Sequence, residues 1–267
     1  MSLAAGLLMC STSTMAAPLH SVMFEENTST EIHDFVAAGH TTVLIPIGGT
    51  EQTGPYVVTG KHNIRVKALA TAIAKKLGDA LVAPVLAYVP EGNISPPTAH
   101  MRYDGTISIP RSAFAALLQG AALSFAAHGF KHIVFLGDHG GYQADLREVV
   151  AKLNRKWAQA PGHPLALYIP QYYGTVDGAF AQTLLAHGVT RAQIGTHGGA
   201  SDTALLLAID PGAVRMAQLK DSGLPTPAEG INGDPRRASA ELGQLGIDEI
   251  VEATTNAIRT AVKNAAQ

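Results

Sequence analysis

Apolar residues in this chain fall into short unbroken runs that alternate with longer segments of helical spacing. The run TVLIPI (42–47) has no polar interruption, the pattern of a strand covered on both faces. HIVFLGD (132–138) and LALYIP (165–170) repeat it, and ALVAPVLAYV (80–89) reads as a further strand with a proline break. Between the strands, RVKALATAIAKKLG (65–78) has helical spacing and ends on a glycine C-cap. PRSAFAALLQGAALSFAAHGF (110–130) opens with proline and is an alanine-rich helix, and YQADLREVVAKLNRKWAQA (142–160) is an amphipathic one. Helices are also predicted over 176–187, 202–209 and 248–264, with a loop-rich surface excursion over 214–245. This alternation predicts an α/β fold, a parallel sheet with helices on both faces.

A chain of 267 residues can bury one large core, so one domain is the default. Charged residues are only 15% against 46% hydrophobic, a globular balance. The net charge of −2 and basic runs no longer than two residues give no footprint for nucleic acid. Cys10 is the only cysteine, which excludes intrachain disulfides and cysteine-based metal sites. It lies in LAAGLLMCSTSTMAAP (3–18), a short apolar stretch followed by small residues and alanines, like a secretory signal peptide without its basic start. Residues 1–17 are therefore expected to be a signal-peptide remnant and 18–267 one domain, with a periplasmic or secreted location; a plain N-terminal helix would leave the protein cytoplasmic. No other segment approaches the roughly 20 apolar residues of a membrane span.

In open α/β sheets ligands bind beyond the carboxyl ends of the strands. The loops at those ends carry histidine and carboxylate together. Strand 42–47 leads to Glu51 and His62, and strand 80–89 to Glu91, His100 and Asp104. Strand 132–136 leads to Asp138 and His139, and a later loop carries His197 and Asp202. Glycine pairs in DHGG and THGG let the backbone approach a small ligand closely. This is the donor composition of a metal site without thiolates.

Four stretches resemble the signatures of the creatininase (creatinine amidohydrolase) family. PIGGTEQTGPYVVTGKH matches its opening motif, and HMRYDGTIS (100–108) its second. GDHGGY (137–142) and HGGASDTA (197–204) match the third and fourth, in order, across residues 46–204. The resemblance implies a three-layer αβα sandwich, often oligomeric, that hydrolyses an amide or cyclic amide C–N bond on a centre of two divalent ions. Carried over by position, Glu51 and His139 match metal ligands, and Asp202 replaces a family glutamate. His197 matches a histidine near the scissile bond, and His100 that of the GTIS loop. Thr53 stands where the family has a histidine ligand, His62 where it has the aspartate bridging both metals, and Gly141 where creatininase itself has a glutamate. An imidazole cannot bridge two ions as a carboxylate does.

The expected centre is therefore one divalent ion, zinc first and manganese or iron as alternatives, held by Glu51, His62, His139 and Asp202. His197 and Glu51 are the expected catalytic groups, and His100, Tyr56, Gly140 and Gly141 the expected substrate contacts. The expected partner is a small-molecule substrate, on a homo-oligomer. Three functional classes remain at this level: a single-metal amidohydrolase, probed by a panel of lactams and formamides; a metal-dependent lyase or isomerase; and a non-catalytic relative that binds a ligand.

Overall fold

Four strands form one parallel sheet in the order β2-β1-β3-β4. The structure, a computed structural model, describes residues 19–159, 162–221, 223 and 226–265. The signal-like segment 1–17, with Cys10, lies outside them. In chain order the elements are α1 (Ser29–Ala37), β1 (Thr42–Ile47), α2 (Lys61–Leu77), β2 (Ala80–Val82), α3 (Arg111–Ala127), β3 (His132–Gly137), α4 (Gln143–Trp157) and β4 (Leu165–Tyr168). They continue with α5 (Pro170–Thr175), a π-helical turn (Val176–Phe180), α6 (Ala181–Ala186), α7 (Arg191–Ile194), α8 (Ala200–Ile209), α9 (Met216–Asp221) and α10 (Ala240–Ala265). No helix among the described residues is long and apolar enough to cross a membrane.

The alternation of side chains along β1 divides the core. Val43, Ile45 and Ile47 pack with Ile133 and Phe135 of β3 against Phe35 of α1, Phe114 and Leu118 of α3, and Leu146 and Leu153 of α4. Leu44, with Val134 and Leu136, faces Val66 and Leu69 of α2, Leu205 and Leu206 of α8, and Ile250 and Ile258 of α10. Both faces are covered, which is why the strands carry no polar alternation. The result is a three-layer αβα sandwich.

Besides α1, α5 and α7, which the pattern does not predict, and α9, which lies inside the expected loop region, three elements depart from the sequence pattern. The strand expected over 80–89 stops at Val82, because Pro84 offers no N–H. Pairing resumes at one position, where Leu86 N–H donates to the Pro46 carbonyl at 3.0 Å. Helix α2 begins at Lys61, four residues early, on a Gly60 cap without a side-chain hydrogen bond and with no acidic residue in its first turn. None of the usual start signals marks that end. Helix α10 begins at Ala240, inside the expected loop region. Gly243 and Gly246 argue for a loop in sequence; in the fold they permit close packing. A Cβ at Gly243 would lie 1.9 Å from the Ala204 carbonyl oxygen, and one at Gly246 2.7 Å from the Phe180 ring.

Candidate metal centre

The helix that follows β1 covers one face of the sheet and the helix that follows β3 covers the other. The crevice between the carboxyl ends of these neighbouring strands is a topological switch point. Tyr142 fixes its floor. Its phenol oxygen accepts the N–H groups of Asp138 (3.0 Å) and His139 (3.1 Å) and lies 2.7 Å from the carbonyls of Ile47 and Gly48, to which its proton is directed. The ends of β1 and β3 are thereby joined where their functional loops begin.

Glu51 is the hub and is fully buried. Its Oε1 lies 2.7 Å from His62 Nε2, 3.3 Å from Lys61 Nζ and 3.6 Å from His197 Nδ1. Its Oε2 accepts no hydrogen bond, and His100 Nε2 and His139 Nε2 each face it at 3.4 Å. The outer nitrogens of two rings are anchored by hydrogen bonds, and that of a third lies against a carboxyl without one. His62 Nδ1 is 2.8 Å from Asp138 Oδ2, His139 Nδ1 is 3.3 Å from Glu91 Oε2, and His197 Nε2–H donates to the Gln52 carbonyl at 2.9 Å. For His197 this bond fixes the tautomer and turns the Nδ1 lone pair to Glu51, whereas His62 has a carboxylate oxygen at hydrogen-bond distance from each ring nitrogen.

On the α2 side the charges are mutually paired. Arg65, 2% exposed, donates from Nε to Asp138 at 2.8 Å and from Nη1 to Asp202 at 2.7 Å. Lys61, 1% exposed, donates to Asp202 at 2.9 Å. Tyr172 O–H adds a bond to Asp138 at 2.8 Å. Cations in the first turns of a helix oppose its dipole. Their positions are set by Glu51 and Asp138 beyond the strand ends and by Asp202 in the first turn of α8.

Burial works against an ionised Glu51, but Lys61, His62 and His139 outweigh it and hold the carboxyl well below its usual range. Asp202 is likewise held low against its burial by Lys61 and Arg65. Burial pushes the His139 imidazole down to about 3 and, with the charge of Lys61, that of His197 to about 4; it also lowers His100. These rings are neutral, the form that binds metal. Glu91 is pushed up to about 9, by burial and then by the charge of Glu51.

The donor set fits a divalent first-row ion. Among the described residues two groups have ligand atoms within 4.8 Å of one another: Glu51, His62 and His139, and Glu51, His100 and His197. The separations of 3.4–3.6 Å are too long for hydrogen bonds but suit donors that share an ion at roughly 2.0–2.2 Å from each. The buried Oε2 of Glu51 is the atom such an ion would satisfy.

Of the expected ligands, Glu51, His62 and His139 meet. Asp202 is in neither group: Lys61 stands between it and Glu51, and two cations neutralise it. His100, expected on the substrate side, faces Glu51. Tyr56 does not line the cavity above the cluster; its carbonyl is tied to Arg215 N–H at 2.7 Å. That cavity, about 240 Å³, is lined by Lys61, His100, His139, Gly140, His197 and Asp202 among others. Gly141 lines an adjoining hollow with Glu91 and Arg111. Arg65 was not marked by sequence, and Glu91 was marked only as a loop carboxylate.

Comparison with known proteins decides the family. The model of the creatininase (creatinine amidohydrolase) family matches residues 25–258. The chain belongs to that family. A creatinine amidohydrolase of Pseudomonas putida is 26% identical over 254 residues, covering 90% of this chain and 96% of the relative. A mycofactocin precursor peptide peptidase of Mycolicibacterium smegmatis is 28% identical over 254 residues, covering 87% and 89%. The structure of a manganese creatininase superimposes with a TM-score of 0.75 at 26% identity, covering 90% of this chain and 98% of that one. A Zn-Zn type mutant creatininase gives the same TM-score, identity and coverage. Within the creatininase fold this chain's own packing explains Gly141: a Cβ there would lie 2.9 Å from Cε1 of His139, so a larger residue would displace that ring.

Proposed function

We propose that the protein is a hydrolase of the C–N bond of a small amide or cyclic amide, working with one divalent ion, zinc in first place. The observation that carries this reading is the buried, unbonded Oε2 of Glu51, faced by two imidazole nitrogens at 3.4 Å. The relatives act on creatinine in one case and on a precursor peptide in the other, and amide hydrolysis is common to both. The cavity of about 240 Å³ has room for a small amide, and the adjoining hollow, which shares His100 and His139, continues it. The signal-like segment supports work in the periplasm or outside the cell.

Glu51, His62 and His139 would hold the ion. When bound, it supplies Lewis acidity, polarising the amide carbonyl and bringing a water's pKa toward 7. The residues of this chain do the rest. Asp138 orients His62 from behind, and Glu91 borders His139 Nδ1 at 3.3 Å. His197 has Nε2–H committed to Gln52, so its Nδ1 is the base that takes a proton from the attacking water and returns it to the leaving nitrogen. His100 borders the cavity beside His197, ring centroids 4.4 Å apart, and contacts the substrate.

Protein purified without chelator should carry close to one equivalent of zinc, manganese or iron by elemental analysis. Glu51→Gln should lose it. The loaded enzyme should hydrolyse at least one member of a panel of lactams, formamides and short N-acyl amides, and His197→Ala should lower kcat by about 10²–10⁴-fold. No bound metal together with no hydrolysis sinks the reading; bound metal with isomerised or eliminated products moves it to a lyase or isomerase.

A further inference from the structure

The second group, Glu51, His100 and His197, faces the cavity, yet its geometry is interrupted. His197 Nδ1 points to Oε1 of Glu51 at 3.6 Å, and the same oxygen is capped by the Lys61 ammonium at 3.3 Å. Lys61 is 1% exposed and fixed from behind by Asp202 at 2.9 Å. A strongly hydrated ammonium is rarely buried so deeply without a specific balance of charge. Here each buried cation is shared between two carboxylates: Lys61 between Glu51 and Asp202, and Arg65 between Asp138 and Asp202. A divalent ion placed on the Glu51 oxygen that Lys61 caps would meet the ammonium at close range in a buried site, where like charges repel strongly.

We infer that Glu51, His100 and His197 form a second divalent-cation position that the Lys61 ammonium keeps closed, so that Lys61 is a built-in cation limiting the centre to one ion. Two observations carry this independently of each other: the ligand atoms of the group lie within 4.8 Å of one another, and Lys61 is held 3.3 Å from Glu51 Oε1, the oxygen that His197 Nδ1 faces at 3.6 Å. The inference rests on the metal reading above for the first ion. Removing the ammonium takes the competing positive charge off Oε1, which His62 Nε2 still meets at 2.7 Å, and leaves Arg65 as the cation on Asp202.

The test is metal stoichiometry by elemental analysis after equilibration with excess Zn²⁺ and gel filtration, with zinc titration calorimetry as a second readout. Wild type is expected to retain one equivalent and Lys61→Met two, and Lys61→Met with His197→Ala should return to one. Lys61→Arg, which keeps the charge, should stay at one. If Lys61→Met does not fold, Lys61→Gln, which keeps a donor for Asp202, gives the same readout. An unchanged count in the uncharged Lys61 variant overturns the inference, and so does a wild type that already holds two ions. A wild type with none overturns the metal reading instead; the difference between variant and wild type then still decides the role of Lys61.

Discussion

On the α2 side of Glu51 the charged side chains have opposite partners at hydrogen-bond distance: Lys61 with Asp202, and Arg65 with Asp138 and Asp202. On the side of the β2–α3 loop they do not. Neither Glu91 oxygen nor His139 Nδ1 makes a hydrogen bond, and Glu51 Oε2 is equally bare. Both sides are buried, so solvent does not explain the contrast. The first side is a finished ionic structure that holds its geometry without help. The second is complete only when something supplies positive charge at Glu51, which relieves Glu91 and gives the imidazole lone pairs an acceptor. Rigidity and readiness for a ligand are thus placed on opposite oxygens of one carboxylate.

The sharpest way to break this comparison is to remove Arg65. Arg65→Met leaves the buried Asp138 and the partly buried Asp202 with fewer cations, and breaking a buried pair from one end costs about 3–5 kcal/mol. Urea denaturation of the metal-free protein should show a loss of that order. A loss under about 1 kcal/mol would mean that the pairs are incidental to the fold.

The opposite sign is expected across the site. In the metal-free protein Glu91 sits at about 9, well above its unfolded range. A folded-state pKa raised for an acid means that the folded protein holds the proton more tightly. Stability is then fully retained below the unfolded value and lost as pH rises toward 9, by up to about 3 kcal/mol at pH 7. Glu91→Gln removes that loss. The metal-free variant should melt higher than wild type at pH 7–8 and match it near pH 4, while its zinc affinity falls about 10–100-fold as His139 loses its carboxylate. A variant less stable than wild type at pH 8 would place Glu91 among the satisfied groups.

These two residues also mark what sequence could and could not show. The run 42–47 and the histidine–carboxylate loops were legible because a buried parallel strand ends where its ligand loop must begin. Glu51, His62 and His139 followed from that rule. Arg65 did not, because within KHNIRVKALA it reads as the polar face of an amphipathic helix. Its partners Asp138 and Asp202 lie 73 and 137 residues away, and only the fold brings them together. Asp202 misled for the same reason: a carboxylate beside a histidine reads as a ligand until two distant cations are seen on it. Glu91 was on the right loop, but nothing in its neighbours told that its carboxyl would be sealed against His139.

The smallest effect tests whether the α2 side is redundantly bonded. Tyr172 donates to Oδ1 of Asp138 at 2.8 Å, and Arg65 Nε lies 3.0 Å from the same oxygen and 2.8 Å from Oδ2. Tyr172→Phe keeps the ring's packing and removes one hydroxyl. No buried acceptor is orphaned, because Arg65 still serves Oδ1, so the loss should be about 1 kcal/mol, the net value of one hydrogen bond. Tyr142→Phe differs: Asp138 N–H keeps the Ile47 carbonyl at 3.0 Å, but His139 N–H loses its phenol acceptor, and leaving such a donor unmet costs about 1–3 kcal/mol. Denaturant midpoints of the two variants should therefore separate, Tyr172→Phe close to wild type and Tyr142→Phe well below it. Zinc affinity should follow the same order, because Tyr172 reaches Glu51 only through Asp138 and His62, whereas Tyr142 holds the backbone of His139 itself. Equal losses in both variants would show that the ion pairs around Asp138 have no reserve.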